Sequence, residues 1–283
     1  MKGKNILRSI WQIIYRVFLV LLYLFPIAML IWVAFKSAKD IAINILGIPS
    51  EWIGFENFST AIEKMEFLMA FKNSLIVTVI STVCLCVFSA MAAWVLVRNK
   101  TKMSNLIFML FSVSMLIPFQ CVMLPLMKIM GRFGLGQFGI DLMNHQGLIL
   151  AYIGFGSAMS IMLYHGFIKG IPVELEEAAA IDGCSTPGIF FRIVMPLLGP
   201  ITTTVGIVNI MWIWNDYLLP SIVLSGKSEL RTLPLQTYKF FGSFTTNWGV
   251  AAAALLLIML PVIIFYIIAQ KKIIKGVVDG AVK

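Results

Sequence analysis

The sequence predicts an all-α integral membrane protein. It has six transmembrane helices, with both termini and a long loop between the fourth and fifth helices on the cytoplasmic side. Three observations carry this. The 283 residues are 60% hydrophobic and only 12% charged, with a mean hydropathy of +0.94, whereas soluble domains carry about 25% charged residues. Six apolar runs reach the roughly 20 residues needed to cross a bilayer. The net charge of +9 is spread around those runs and not gathered in a block, which points to anchoring in the lipid bilayer and away from nucleic acid. With no soluble domain appended, residues 1–283 read as a single membrane domain.

The spans follow in order. The first covers 10–35, with Pro26 inside and Lys36 directly after it. It is too long for the apolar core of a signal peptide. The second covers 75–97 and ends at Arg98-Asn99-Lys100. The third covers 106–130 and is interrupted by Pro118 and Pro125. The fourth, 147–168, is closed by Lys169. The fifth, 197–224, contains Pro200 and Pro220. The sixth, 250–269, is closed by Gln270-Lys271-Lys272.

Orientation follows from the Lys and Arg residues in the connections. The N-terminal arm, the 98–105 turn, the 169–196 loop and the tail hold 13 of the 22, and the other side holds 9. Short cytoplasmic connections attract such cations, so that side is read as cytoplasmic. The outer connections are longer. Within 36–72, the 57–71 part has the aromatic, amphipathic pattern of a helix lying on the interface. The four cysteines, at 84, 86, 121 and 184, read as buried free thiols, because Cys84 and Cys86 point apart on a helix.

Catalysis finds no support. There are two histidines, His145 and His165, and no HExxH or GxSxG motif. Gly226-Lys227-Ser228 looks like the end of a phosphate loop, but Ser221 stands where the first Gly belongs. No catalytic or metal-binding residues are expected. Polar residues within spans are costly and tend to face the bundle interior. Asn209, Trp212 and Asp216 fall at i, i+3 and i+7, with Asn215 and Tyr217 beside them. This is one candidate lining for the path of a polar, uncharged solute; a structural acid at Asp216 is the other reading. Ser74, Thr78, Ser81, Thr82 and Ser89 share a face of the second span, where packing through small residues is the favoured reading.

The loop at 169–196 is the most informative stretch. Pro172 suits a helix start, and Glu174, Glu176 and Glu177 suit its positive end. Ala178-Ala179-Ala180 favour helix, Gly183 provides a left-handed stop, and Ser185 or Thr186 with Pro187 starts a second helix that Pro196 closes. The all-Ala face allows another surface to approach, so the loop reads as a plug for a groove in a partner.

Glu177-Ala178-Ala179, Gly183, Ile193 and Met195-Pro196 match the spacing EAA-x3-G-x9-I-x-L-P, with Met195 where Leu is usual. This resembles the EAA loop of ABC-importer permeases. Trp214-Asn215-Asp216-Tyr217, Thr232-Leu233-Pro234 and the tail Gly280-Ala281-Val282-Lys283 resemble the MalG-like branch that imports carbohydrates. The similarity runs from about Leu7 to the end. The resemblance implies a permease that moves a sugar, with a lean to an oligosaccharide. It implies a heterodimer with a second permease subunit, a cytoplasmic ATPase dimer that holds the ATP and Mg, and an extracytoplasmic sugar-binding protein. No cofactor is expected on this chain. Carried over position by position, it gives Glu177, Ala178, Ala179, Asp182, Gly183, Ile193 and Pro196 as the ATPase-coupling loop. The alternatives are a permease for a non-sugar solute and a self-sufficient secondary transporter. The latter needs an ion-coupling acid, for which Asp216 is the clear candidate.

Overall fold

Long apolar helices make up most of the structure. The computed structural model describes the backbone of residues 2–131, 135–241 and 247–281, and side chains from 11 to 270 apart from 132–135 and 242–246. The α-helices are α1 (Lys2–Ala34), α2 (Ala38–Ile43), α3 (Glu56–Lys64), α4 (Phe67–Arg98), α5 (Lys102–Ser114), α6 (Phe119–Met130), α7 (His145–Ile168), α8 (Glu174–Ile181), α9 (Thr186–Ile189), α10 (Met195–Leu197), α11 (Gly199–Asn215), α12 (Leu218–Val223), α13 (Leu233–Thr237) and α14 (Trp248–Ala281). Among the described residues there is no strand, only a bridge between Lys36 and Trp52.

Four helices are long and apolar enough to cross a membrane: α1 over Trp11–Ala34, α4, α7, and α14 over Trp248–Gln270. Two bent pairs raise the number to six if each is one span. The first pair is α5 with α6, bent by 104°. The expected third span is therefore divided at residues 115–118, where Pro118 caps α6 and has no N–H to continue the ladder. Proline alone does not decide this, since Pro26, Pro125 and Pro261 lie inside α1, α6 and α14.

The second pair is the Thr186–Leu197 helix with α11, bent by 79°. Pro196 does not close the loop as expected: it sits in the first turn of α10, and the break falls at Leu198. The expected fifth span is also divided, because α11 stops at Asn215 and Asp216 is extended before α12. The apolar part of the sixth span ends at Gln270, where Gln270-Lys271-Lys272 was expected to close it, but helix α14 itself runs on to Ala281; Gln and Lys are good helix formers. The expected 57–71 helix is interrupted too. Helix α3 stops at Lys64, Glu66 turns left-handed (φ 48°), and α4 begins at Phe67.

The chain divides into two compact units. The first comprises Met1–Leu68 and Gln236–Pro261. In it Asn57 Nδ2 donates to the carbonyls of Ala34 (2.9 Å) and Lys36 (3.0 Å), which ties α3 to the end of α1. Phe35 meets Trp52, Phe55 and Phe58 at ring separations of 5.5, 5.6 and 5.1 Å. The Ser50 hydroxyl and amide donate to Asp40 at 2.5 and 3.0 Å and hold its carboxyl below the usual carboxylate range.

The second unit comprises Met69–Leu235 and Val262–Lys283. Helix α7 is its spine, with α5 and α11 packed on it. One apolar cluster gathers Ala93, Tyr164, Ile168, Phe190, Val194 and Leu198. Another gathers Val77, Leu85, Leu148, Tyr152, Ile213 and Leu224. The hydroxyl stripe of α4 (Ser74, Thr78, Ser81, Thr82 and Ser89) is buried, so it serves packing and not an open wall. Ser74 Oγ accepts from the Leu233 amide at 2.8 Å, and Asn73 Nδ2 donates to the Glu229 and Arg231 carbonyls. All four cysteines are free thiols, but Cys86 alone of them is buried and Cys121 is exposed, which corrects the expectation for the latter.

Candidate functional site

The loop at 169–196 is built as its local sequence dictates. Helix α8 opens with Glu174, Glu176 and Glu177 in its first turn. It stops where Gly183 adopts φ +81°. There the amide of Gly183 donates to the Ala180 carbonyl (3.1 Å) and that of Cys184 to the Ala179 carbonyl (3.0 Å). These two bonds form the Schellman stop, which needs a left-handed residue after the cap. The second helix starts as the sequence requires, with the Ser185 hydroxyl accepting from the Gly188 amide and Pro187 in the first turn. A five-residue π-helix, Phe190–Val194, follows.

The two faces of α8 have different tasks. Glu176 and Ala179, three apart, are buried. Ala179 packs in the cluster that contains Ile171, Phe190 and Val194. It therefore faces the protein's own core. Glu177, Ala178, Asp182 and Gly183 are exposed. So are Leu175 (45%) and Ile181 (86%), an apolar pair on the outer surface of a charged helix. Further along, Ile193 packs partly into the core and Pro196 is exposed.

Sequence reasoning passed over the residue that fastens this helix. Glu176 Oε1 accepts from Arg98 Nη2 (2.6 Å) and Nε (2.9 Å), and Oε2 accepts from Trp94 Nε1 (2.8 Å). Arg98 Nη2 also reaches the Ile171 carbonyl at 3.0 Å. The last turn of α4 thus grips both α8 and the turn that leads into it. The exposures of the paired side chains are 20% for Arg98 and 9% for Glu176, so removing one partner strands a charge in a poorly hydrated place. The only signal in the sequence is the i, i+3 spacing of Glu176 and Ala179; Arg98 lies 78 residues away.

The candidate pathway residues do not form one open face. Asn209 is buried and donates to Ser160 Oγ (3.0 Å) and the Val205 carbonyl (2.8 Å). It stands beside Gly156, where a Cβ would meet Asn209 Oδ1 at 3.1 Å and Leu85 Cδ1 at 2.8 Å. Asp216 joins α11 to α12: its Oδ1 accepts from the Leu218 amide (3.0 Å) and its Oδ2 from the Tyr152 hydroxyl (3.0 Å). Tyr152 also meets Trp212 edge-on at 5.4 Å, and the sequence reading missed it. Asn215 donates to the Met211 carbonyl of its own helix (2.7 Å). Trp212 and Asn215 are exposed, and Tyr217 is half-buried. Outside the spans, Lys227 pairs with Asp141 at 2.8 Å, which lowers the Asp141 pKa; at the start of α7, His145 bonds the Leu230 carbonyl.

The architecture is a bundle of long apolar helices with a short surface helix gripped from the end of one of them. A solved bacterial ABC transporter that imports the acidic polysaccharide alginate shares the fold, with a TM-score of 0.73 at 19% identity over 96% of this chain and 98% of that one. Residues 85–278 match the family model for the binding-protein-dependent transport system inner membrane component, and the chain belongs to that family. It is 43% identical over 263 residues to the probable starch degradation products transport system permease protein AmyC of Thermoanaerobacterium thermosulfurigenes, covering 93% of each chain. It is 31% identical to the multiple sugar-binding transport system permease protein MsmG of Streptococcus mutans, over 100% of each. The chain is thus a multi-pass permease subunit of an ABC importer, and not an enzyme.

Proposed function

We propose that this chain carries an oligosaccharide across the membrane and that the outer face of α8 is where a separate ATPase acts on it. The observation that supports this most is the division of α8. Glu176 is bound inward by Arg98 and Trp94, while Glu177, Ala178, Ile181 and Asp182 stay exposed. An eight-residue helix is too short to persist alone, so a force on its outer face passes into α4 through the ion pair. ATP and Mg belong to the ATPase dimer, a second permease subunit completes the bundle, and an extracytoplasmic binding protein delivers the sugar. Both termini and the 169–196 loop lie in the cytoplasm, and both compact units belong to one transmembrane domain. The substrate reading rests on the relatives named for starch degradation products and multiple sugars. Trp212, Asn215 and Tyr217 face the solute, and Asn209 and Asp216 hold their wall in place. The two hydrogen bonds to the carboxylate of Asp216 favour that structural role over ion coupling. The test is reconstitution of the assembled transporter in vesicles, with a labelled panel of mono- and oligosaccharides. Uptake of an oligosaccharide that needs ATP and the binding protein is expected. Uptake driven by an ion gradient without ATP refutes it.

A further inference from the structure

Where α4 and α7 end and α5 begins, the second unit forms a half-open cavity of about 670 Å³. Lys100, Lys169, His165 and Arg98 line it, with the amide side chain of Asn105 among them. No acidic residue lines it. Arg98 is balanced by Glu176, but Lys100 and Lys169 pair with no carboxylate among the described residues. His165 is held in place by stacking on Phe108, with ring centroids 3.8 Å apart. Like charges gathered without a counterion are costly, and an anion relieves them.

The rest of the lining indicates which anion. Leu96, Val97 and Phe108 also face the cavity, so it offers apolar surface beside the cations. It lies at the depth where the apolar runs give way to polar connections, at Arg98 and Lys169, which is the depth of lipid headgroups. Next to it α5 exposes Leu106, Met109, Leu110 and Val113, a surface suited to acyl chains. We propose that this cavity binds the phosphate headgroup of an anionic phospholipid of the cytoplasmic leaflet. Basic pockets between spans on that side take such headgroups. The site also touches the coupling apparatus. Arg98 lines it and grips Glu176, and Val173, the residue before α8, lines it as well. A bound headgroup therefore lies against the residue that holds α8. The inference rests on the proposed orientation, which puts the loop in the cytoplasm.

The test uses the whole transporter in nanodiscs of phosphatidylcholine, with and without phosphatidylglycerol. Thermal stability and lipid-binding affinity by native mass spectrometry are the readouts. Phosphatidylglycerol is expected to raise the melting temperature of the wild type. The double variant Lys100→Gln, Lys169→Gln is expected to bind it roughly thirtyfold more weakly, from about 1 kcal/mol for each lysine. Lys102→Gln, at the same depth but outside the lining, is expected to bind like the wild type. Equal stabilisation by inorganic phosphate alone overturns the lipid assignment. Undiminished lipid binding by the double variant, or an equal loss in Lys102→Gln, overturns the site. ATP-driven uptake in pure phosphatidylcholine tests the permease reading separately, because it does not need the anionic lipid.

Discussion

Replacing Glu176 with Ala removes the acceptor of three hydrogen bonds from Arg98 and Trp94. Arg98 keeps only the Ile171 carbonyl. Breaking a largely buried pair by removing one member costs about 3–5 kcal/mol, and the 20% exposure of Arg98 places this one near the lower end, about 3 kcal/mol. The loss falls on the docking of α8 and not on the bundle, because Ala179 is the one other residue of α8 that is buried. A change of about 3 kcal/mol shifts a docked–undocked equilibrium roughly 150-fold. Amides of 174–183 are therefore expected to exchange with solvent more than 100-fold faster, by the same arithmetic. Uptake is expected to fall while the protein stays inserted. A double-mutant cycle with Arg98→Ala isolates the pair, and the double variant is expected to lose less than the two single losses combined. Wild-type exchange and uptake in Glu176→Ala refute the idea that this pair fastens the coupling helix.

Other outcomes follow from the same geometry. A Cβ on Gly183 meets nothing within 4 Å in this chain, so its φ of +81° sets the requirement. Gly183→Val is expected to cost about 1–2 kcal/mol in the loop and abolish uptake, while Gly183→Asn, which tolerates that backbone, retains part of it; transport assays at equal membrane content compare the two. Tyr152→Phe deprives Asp216 of one donor and is expected to cost about 1–3 kcal/mol in thermal stability, with uptake persisting. The Asp40 carboxyl titrates below its unfolded value of 3.8. It therefore favours the folded first unit at neutral pH, and this contribution disappears as pH falls below that value. Asp40→Asn is expected to flatten that part of the acid-unfolding profile, followed by tryptophan fluorescence.

What the sequence made readable was local in origin. The Gly183 stop and the Ser185 cap each depend on a few neighbouring residues, and both formed where expected. The apolar runs were readable because lipid requires about 20 residues of them. Helix breaks were not, because prolines inside or beside helices give one signal with two outcomes: Pro118 stands at a bend, while α1 and α14 run on through Pro26 and Pro261. The inward face of α8 was hidden for another reason. Three glutamates stand in its first turn, and only the distant Trp94 and Arg98 decide which one turns in. Tyr152 escaped notice for the same reason, since its partner Asp216 lies 64 residues away.

A photo-crosslinking amino acid at Ile181, the more exposed of the two large apolar residues of α8, reports what meets that surface in the assembled transporter. Crosslinking of position 181 to the ATPase subunit, strengthened or weakened by ATP, is the expected result. Reaction with lipid or solvent alone, in a transporter that still takes up its sugar, contradicts a coupling role for the outer face of α8.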